Sequence, residues 1–223
     1  MSYSLTLQDI STVTHDTRCL RFDRPEGFAF EPGQAAEIAL DRDGWRDEGR
    51  PFTMTSQPED PFLEFVIKIY PDHDGVTEQI ATMTPGEKVQ AGDPFGAITD
   101  HGAGTFIAGG AGVTPFICLL RRRAAQAQTD GCHLIFSNKS EADIILRDEW
   151  ERTDGLKTTF VVTDEDADGL PGGPIDRDFL DRHLSSKSGP FYICGPGGMV
   201  DDIRDHLKSM GVDGAEIITE DGW

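Results

Sequence analysis

The chain has 223 residues and a mass of 24.4 kDa, room for one large domain or two small ones. A net charge of −20 and a pI near 4.5 argue against nucleic acid or an anionic membrane as partner. There is no apolar run long enough to span a bilayer, no basic-then-apolar leader in MSYSLTLQDI, and no CxxC pair among Cys19, Cys118, Cys132 and Cys194. The expectation is a cytoplasmic, monomeric protein with reduced thiols, no membrane segment, and neither an iron–sulfur cluster nor a structural zinc.

In chain order, residues 1–100 read as β. The runs YSLTLQDI, RCLRF, AAEIAL, FLEFVIKIY and EKVQA are separated by turns rich in Pro, Gly and Asp, the rhythm of an antiparallel sandwich or small barrel. One helical insertion is predicted from Val76 to Met83. From residue 101 to 223 strands alternate with helices. GTFIAGG, CHLIFSN, LKTTFVVT, GPFYICG and AEIITE are the strands, interleaved with helices from Thr114, over EADIILRDEWERT, over DRDFLDRHL and over MVDDIRDHLKSMG. That alternation predicts a parallel sheet with helices on both faces.

Three stretches carry chemistry. In TFIAGGAGVTPF a buried strand ends in Gly109, Gly110 and Gly112, which permit a sharp turn and close approach of a ligand to the backbone. Thr114 is expected as N-cap and Pro115 suits the first turn, so the helix start offers amides to a phosphate. In RPFTMTS, Arg50 suits bidentate phosphate pairing, Phe52 can cover a flat ring, and Thr53 can donate to a ring heteroatom. In YICGPGGM, Cys194 stands at the carboxyl end of a strand, where open α/β sheets bind ligands. Taken singly, each stretch also reads as ordinary structure.

In this order the three stretches resemble the ferredoxin–NADP reductase-like flavoproteins, and the resemblance covers essentially the whole chain. It implies an N-terminal FAD-binding antiparallel β-barrel followed by a C-terminal NAD(P)-binding α/β domain. Arg50, Pro51, Phe52 and Thr53 match the family's Arg-x-Tyr-(Ser/Thr) flavin motif, with Phe in place of Tyr and hence without its hydroxyl. The segment Val66 to Tyr70, including Lys68, followed by Gly75, Val76 and Thr77, matches the second flavin-phosphate segment, with Tyr70 toward the adenine. Gly109, Gly110, Gly112, Thr114 and Pro115 match the dinucleotide turn. Cys194, Gly195, Pro196 and Met199 match the segment whose cysteine aligns hydride transfer. The implied function is hydride transfer from NADH or NADPH to flavin N5, then electron delivery to a separate acceptor: a ferredoxin, a flavodoxin or an oxygenase component. The cofactor carries that chemistry, so no triad or metal is needed. A non-catalytic flavin-binding regulatory subunit, or an electron-transfer subunit of a larger complex, is the alternative.

For the donor, Asn138 and Lys139 follow the second strand of this domain with a single cation, which leans toward NADH. Asp143 serves either a ribose hydroxyl or an acidic first turn. Trp223 is expected to stack on FAD. The scattered histidines lack ligand spacing, so no metal is expected. Arg121, Arg122 and Arg123 are either a solvated helix face or a dock for an acidic acceptor.

Overall fold

A computed structural model describes residues 2–71, 73–96 and 98–220. The chain forms two compact units that divide between Thr99 and Asp100. Among the described residues no helix is long and apolar enough to cross a membrane.

The first unit is built from β1 (Tyr3–Thr14), β2 (Thr17–Asp23), β3 (Ala35–Leu40), β4 (Arg50–Thr53), β5 (Phe62–Lys68) and β6 (Lys88–Ala91). All pairings are antiparallel, in the order β4-β3-β6-β1-β2-β5. The two edge strands meet at a Met54–Phe65 bridge, so the sheet closes on itself and leaves few bare edges. Leu5, Leu20, Phe22, Leu40, Phe65 and Val89 fill the interior, each burial contributing about 1.5–3 kcal/mol. The helical insertion α1 (Val76–Ala81) ends two residues earlier than expected from the sequence. Val76 and Ile80, four residues apart on one face, anchor it in the same core.

The second unit is a parallel sheet of β7 (Thr105–Gly109), β8 (His133–Asn138), β9 (Lys157–Val162), β10 (Phe191–Cys194) and β11 (Ile217–Thr219), ordered β11-β10-β7-β8-β9. Alternate residues serve opposite faces. Ile107, Ile135, Val161 and Ile193 pack under α4 (Arg177–His183) and α5 (Gly197–Ser209). Phe106 and Tyr192, stacked at 4.3 Å, face Phe116 of α2 (Thr114–Ala125). The Tyr192 hydroxyl donates to the Gly102 carbonyl (2.9 Å) and accepts from the His101 amide (2.8 Å), and burial pushes its pKa up to about 12.

EADIILRDEWERT is not one helix. A capping box between Ser140 and Asp143 closes a 3₁₀ turn, Glu141–Asp143. Leu146 then takes a left-handed conformation (φ 57°), and only Arg147–Arg152 is α3. The buried Trp150 indole donates to the Ile145 carbonyl at 2.8 Å, a tertiary anchor that outweighs the helical spacing of the apolar residues.

Candidate functional site

In the barrel unit, β4 pairs only with β3, so Arg50 and Phe52 lie on an edge strand. Arg50 is exposed and held by near neighbours, its guanidinium reaching Glu48 at 3.2 Å and donating to the Gly49 carbonyl at 2.7 Å. Both partners are at the surface, so a phosphate can replace Glu48 at small cost. Pro51 and Phe52 are partly covered, while Thr53, at the end of the strand, is only 8% exposed.

The neighbouring segment is mixed. Val66 is buried on β5. Lys68 is drawn aside by Asp16 at 2.8 Å, which leaves its charge largely balanced. Desolvation pushes the Asp16 carboxyl up, but hydrogen bonds from Lys68 and Thr14 outweigh it and hold the pKa below the usual carboxylate range. Tyr70 is 45% exposed with its ring edge-on to His73, an aromatic surface open to a base. Helix α1 begins at Gly75 with no side-chain cap, and the Thr77 hydroxyl accepts from the Tyr70 amide at 3.4 Å, which leaves its proton to donate.

In the second unit, β7 runs into a 3₁₀ turn, Gly110–Val113, that leads directly into α2. Thr114 therefore does not cap the helix: its hydroxyl donates back to the Ala111 carbonyl at 3.0 Å, inside an already helical turn. The open end moves forward to Gly109 and Gly110, with no side-chain cap. Pro115 lies in the first turn of α2, where its missing N–H costs nothing.

This turn interlocks with the one after β10. A Cβ on Gly112 would stand 2.3 Å from the Cys194 carbonyl oxygen. A Cβ on Gly109 would meet the Met199 sulfur at 2.7 Å and Pro196 Cδ at 2.9 Å. One on Gly195 would meet the Met199 methyl at 2.6 Å. Positions Gly110, Gly197 and Gly198 face open space instead. Gly112 sets backbone against backbone, Gly109 and Gly195 lie close against the Met199 side chain, and the open positions leave a cradle beside the starts of α2 and α5.

Cys194 is half-buried, its thiol 3.8 Å from a Glu220 carboxylate oxygen, and burial with the Glu220 charge pushes its pKa strongly upward. Asn138, at the end of β8, is 5% exposed, with no partner for its side-chain carbonyl oxygen among the described residues. Such an orphan acceptor fits a ligand hydroxyl. Lys139 lies next to it, its carbonyl accepting from the Asp164 amide at 2.9 Å. Asp143 is spent in the capping box, 2.7 Å from the Ser140 hydroxyl, and is not left for a ribose. Glu165 accepts from the Glu141 amide at 2.6 Å. The carboxylate thus occupies the anion position of that 3₁₀ turn. Trp223 lies outside the described residues.

Both units resemble known proteins. Residues 4–99 match the oxidoreductase FAD-binding domain family and residues 106–205 the oxidoreductase NAD-binding domain family. NADH-cytochrome b5 reductase 2 of Emericella nidulans is 30% identical over 216 residues, covering 88% of this chain and 66% of that protein. The protein of the same name from Mycosarcoma maydis is 28% identical over 232 residues, covering 94% and 66%. The chain thus spans about two thirds of the length of these relatives. A ferredoxin NADP+ reductase from Neisseria gonorrhoeae, solved with FAD and NADP, shares the fold at a TM-score of 0.84 and 20% identity, over 100% of this chain and 99% of that one.

Proposed function

Because the chain belongs to the ferredoxin–NADP reductase-like FAD- and NAD-binding oxidoreductases, we propose that it is a flavoprotein reductase that draws electrons from NADH and passes them to a separate redox carrier. The observation that carries this reading is the pair of interlocked glycine turns at Gly109–Gly112 and Gly195–Gly198, set beside the orphan Asn138 oxygen. Bound FAD supplies hydride acceptance and one-electron delivery, chemistry that no side chain offers.

The residues bind and orient. Arg50 and the start of α1, with Thr77, hold phosphate oxygens of the flavin nucleotide, and Thr53 gives its hydroxyl to the ring. The amides at Gly110 and at Gly197 seat the pyrophosphate of the donor. Cys194 presents a neutral, polarizable thiol: protonated by burial and by Glu220, it fills the space beside the reacting rings without adding charge or admitting water.

The donor reading follows from Glu165. A 2′-phosphate placed past β8 would compete with its carboxylate for the Glu141 amide and be repelled by it, while the nearby Arg147 is already held by Glu141 and Glu151. NADH, with a ribose hydroxyl there, meets no such conflict. The acceptor is a small one-electron carrier, consistent with relatives named for cytochrome b5.

The test is anaerobic titration of the purified flavin-loaded protein. NADH should bleach the flavin at a far lower concentration than NADPH, and Glu165→Gln should narrow the gap by roughly tenfold, about 1.4 kcal/mol. Bound flavin that neither nucleotide reduces would overturn the proposal.

A further inference from the structure

β5 reads FLEFVIK, apolar except for Glu64 and the terminal lysine, and Glu64 is 3% exposed. Burying a carboxylate in a barrel wall is costly, and an apolar residue of similar volume fills such a place as well or better. What this carboxylate does is join three pieces of chain. One oxygen takes Nε of Arg21 on β2 at 2.9 Å, and the other takes the Thr55 hydroxyl at 3.0 Å. The main chain adds two bonds to the same segment: the Thr55 amide donates to the Glu64 carbonyl at 2.7 Å, and the Glu64 amide donates to the Ser56 hydroxyl at 3.1 Å.

Their location gives them meaning. Met54 N–H still reaches back to the Gln34 carbonyl at 3.1 Å, and Met54 also bridges to Phe65, so the chain changes partner strand at this residue. The Glu64 bonds complete the closure of the barrel at the exit of the strand that carries Arg50 and Thr53. Thr53 ends β4, and Thr55 follows it by two residues across the Met54 bridge. The bonds from Thr55 to Glu64 therefore anchor the chain two residues beyond Thr53.

We propose that Glu64 is a positioning residue for the flavin: its buried carboxylate, through Thr55, sets where the Thr53 hydroxyl is presented. The inference rests on the reading of this unit as the FAD-binding one. Glu64→Gln keeps the shape and removes the charge, and with it the ability to accept from Arg21 and Thr55 together. Thr55→Val removes only the hydroxyl, and Thr55→Ser retains it. Glu87→Gln, which weakens the Arg42 ion pair elsewhere in the barrel, is the control for a loss of stability alone.

The measurements are the FAD dissociation constant of the flavin-stripped full chain, the visible spectrum and circular dichroism of the flavin at saturation, and the melting temperature. Glu64→Gln and Thr55→Val should each weaken FAD binding by roughly tenfold and alter the saturated flavin spectrum. Thr55→Ser should restore both, and Glu87→Gln should lower melting without a spectral change. Wild-type affinity and spectrum in both variants overturn the proposal, as does weakened binding with an unaltered spectrum that merely follows melting as in Glu87→Gln. If Glu64→Gln does not fold, the Thr55 pair decides alone. A wild-type chain that binds no FAD removes the functional reading itself, whereas a flavin-binding wild type with indifferent variants removes only the role of Glu64.

Discussion

Cys194 shows how one side chain's chemistry is set by its surroundings. A thiolate is the reactive form of cysteine, and both desolvation and the facing Glu220 carboxylate oppose it. The thiol should therefore be nearly inert to iodoacetamide at neutral pH. Glu220→Gln removes the charge and lowers the thiol pKa, so alkylation should quicken roughly three- to tenfold; an unchanged rate would show that burial alone protects the sulfur. Cys194→Ser keeps a small polar group but loses bulk and polarizability. It should slow flavin reduction by NADH about tenfold, about 1.4 kcal/mol in the barrier, with FAD affinity unchanged. Stopped-flow reduction separates the two quantities.

At the scale of elements, the glycine turns can be ranked by what a methyl group would meet. Gly112→Ala puts a Cβ against the backbone of Cys194, which cannot move aside without displacing β10. It should cost about 2–3 kcal/mol of stability and abolish nucleotide binding. Gly110→Ala enters open space but at φ 52°, so its stability cost should be about 1 kcal/mol. Urea denaturation distinguishes them, and equal losses would contradict the interlock. β8 adds a pH dependence. His133 is 4% exposed, shares one bond with Thr159 at 2.9 Å, and has a ring nitrogen without a partner among the described residues. Burial first, then nearby Lys157 and His183, lower its pKa to about 4 from an ordinary 6.5. Between those values the unfolded chain binds more protons, so stability is full above about pH 6.5 and falls as pH drops toward 4. The loss should be about 3 kcal/mol. Comparing melting against pH with His133→Gln, which should flatten that part of the profile, checks it.

These elements also show what the sequence made legible. The strands, the glycine turns and the Cys-Gly-Pro strand end are local signals, because turn chemistry and period are written in neighbouring residues. The end of β8 was not legible. Asp143 takes the Ser140 amide and Glu165 the Glu141 amide, and the second carboxylate comes from a loop more than twenty residues away. Glu64 had a visible signal, a lone charge inside an apolar strand, but its partners come from other strands.

For the whole molecule the deciding quantity is charge that is not neutralised in place. Two members of the arginine run of α2 are already engaged within the fold: Arg121 forks onto Glu149 at 2.6 and 2.9 Å, and Arg123 is buried against Asp100. Arg21, Arg42, Arg46 and Arg147 also face carboxylates. With 40 acidic residues against 20 basic ones, the long-range field is negative, and much of the basic complement is held in ion pairs within the fold. Such a field steers cationic carriers in and holds acidic ones off. Reduction of a basic haem carrier should therefore slow at least severalfold as ionic strength rises from about 0.01 to 0.3 M, where the Debye length shrinks from about 30 Å to below 8 Å. Reduction of an acidic carrier should quicken over the same range. The opposite pair of slopes would mean that a local cationic patch, and not the net field, governs docking.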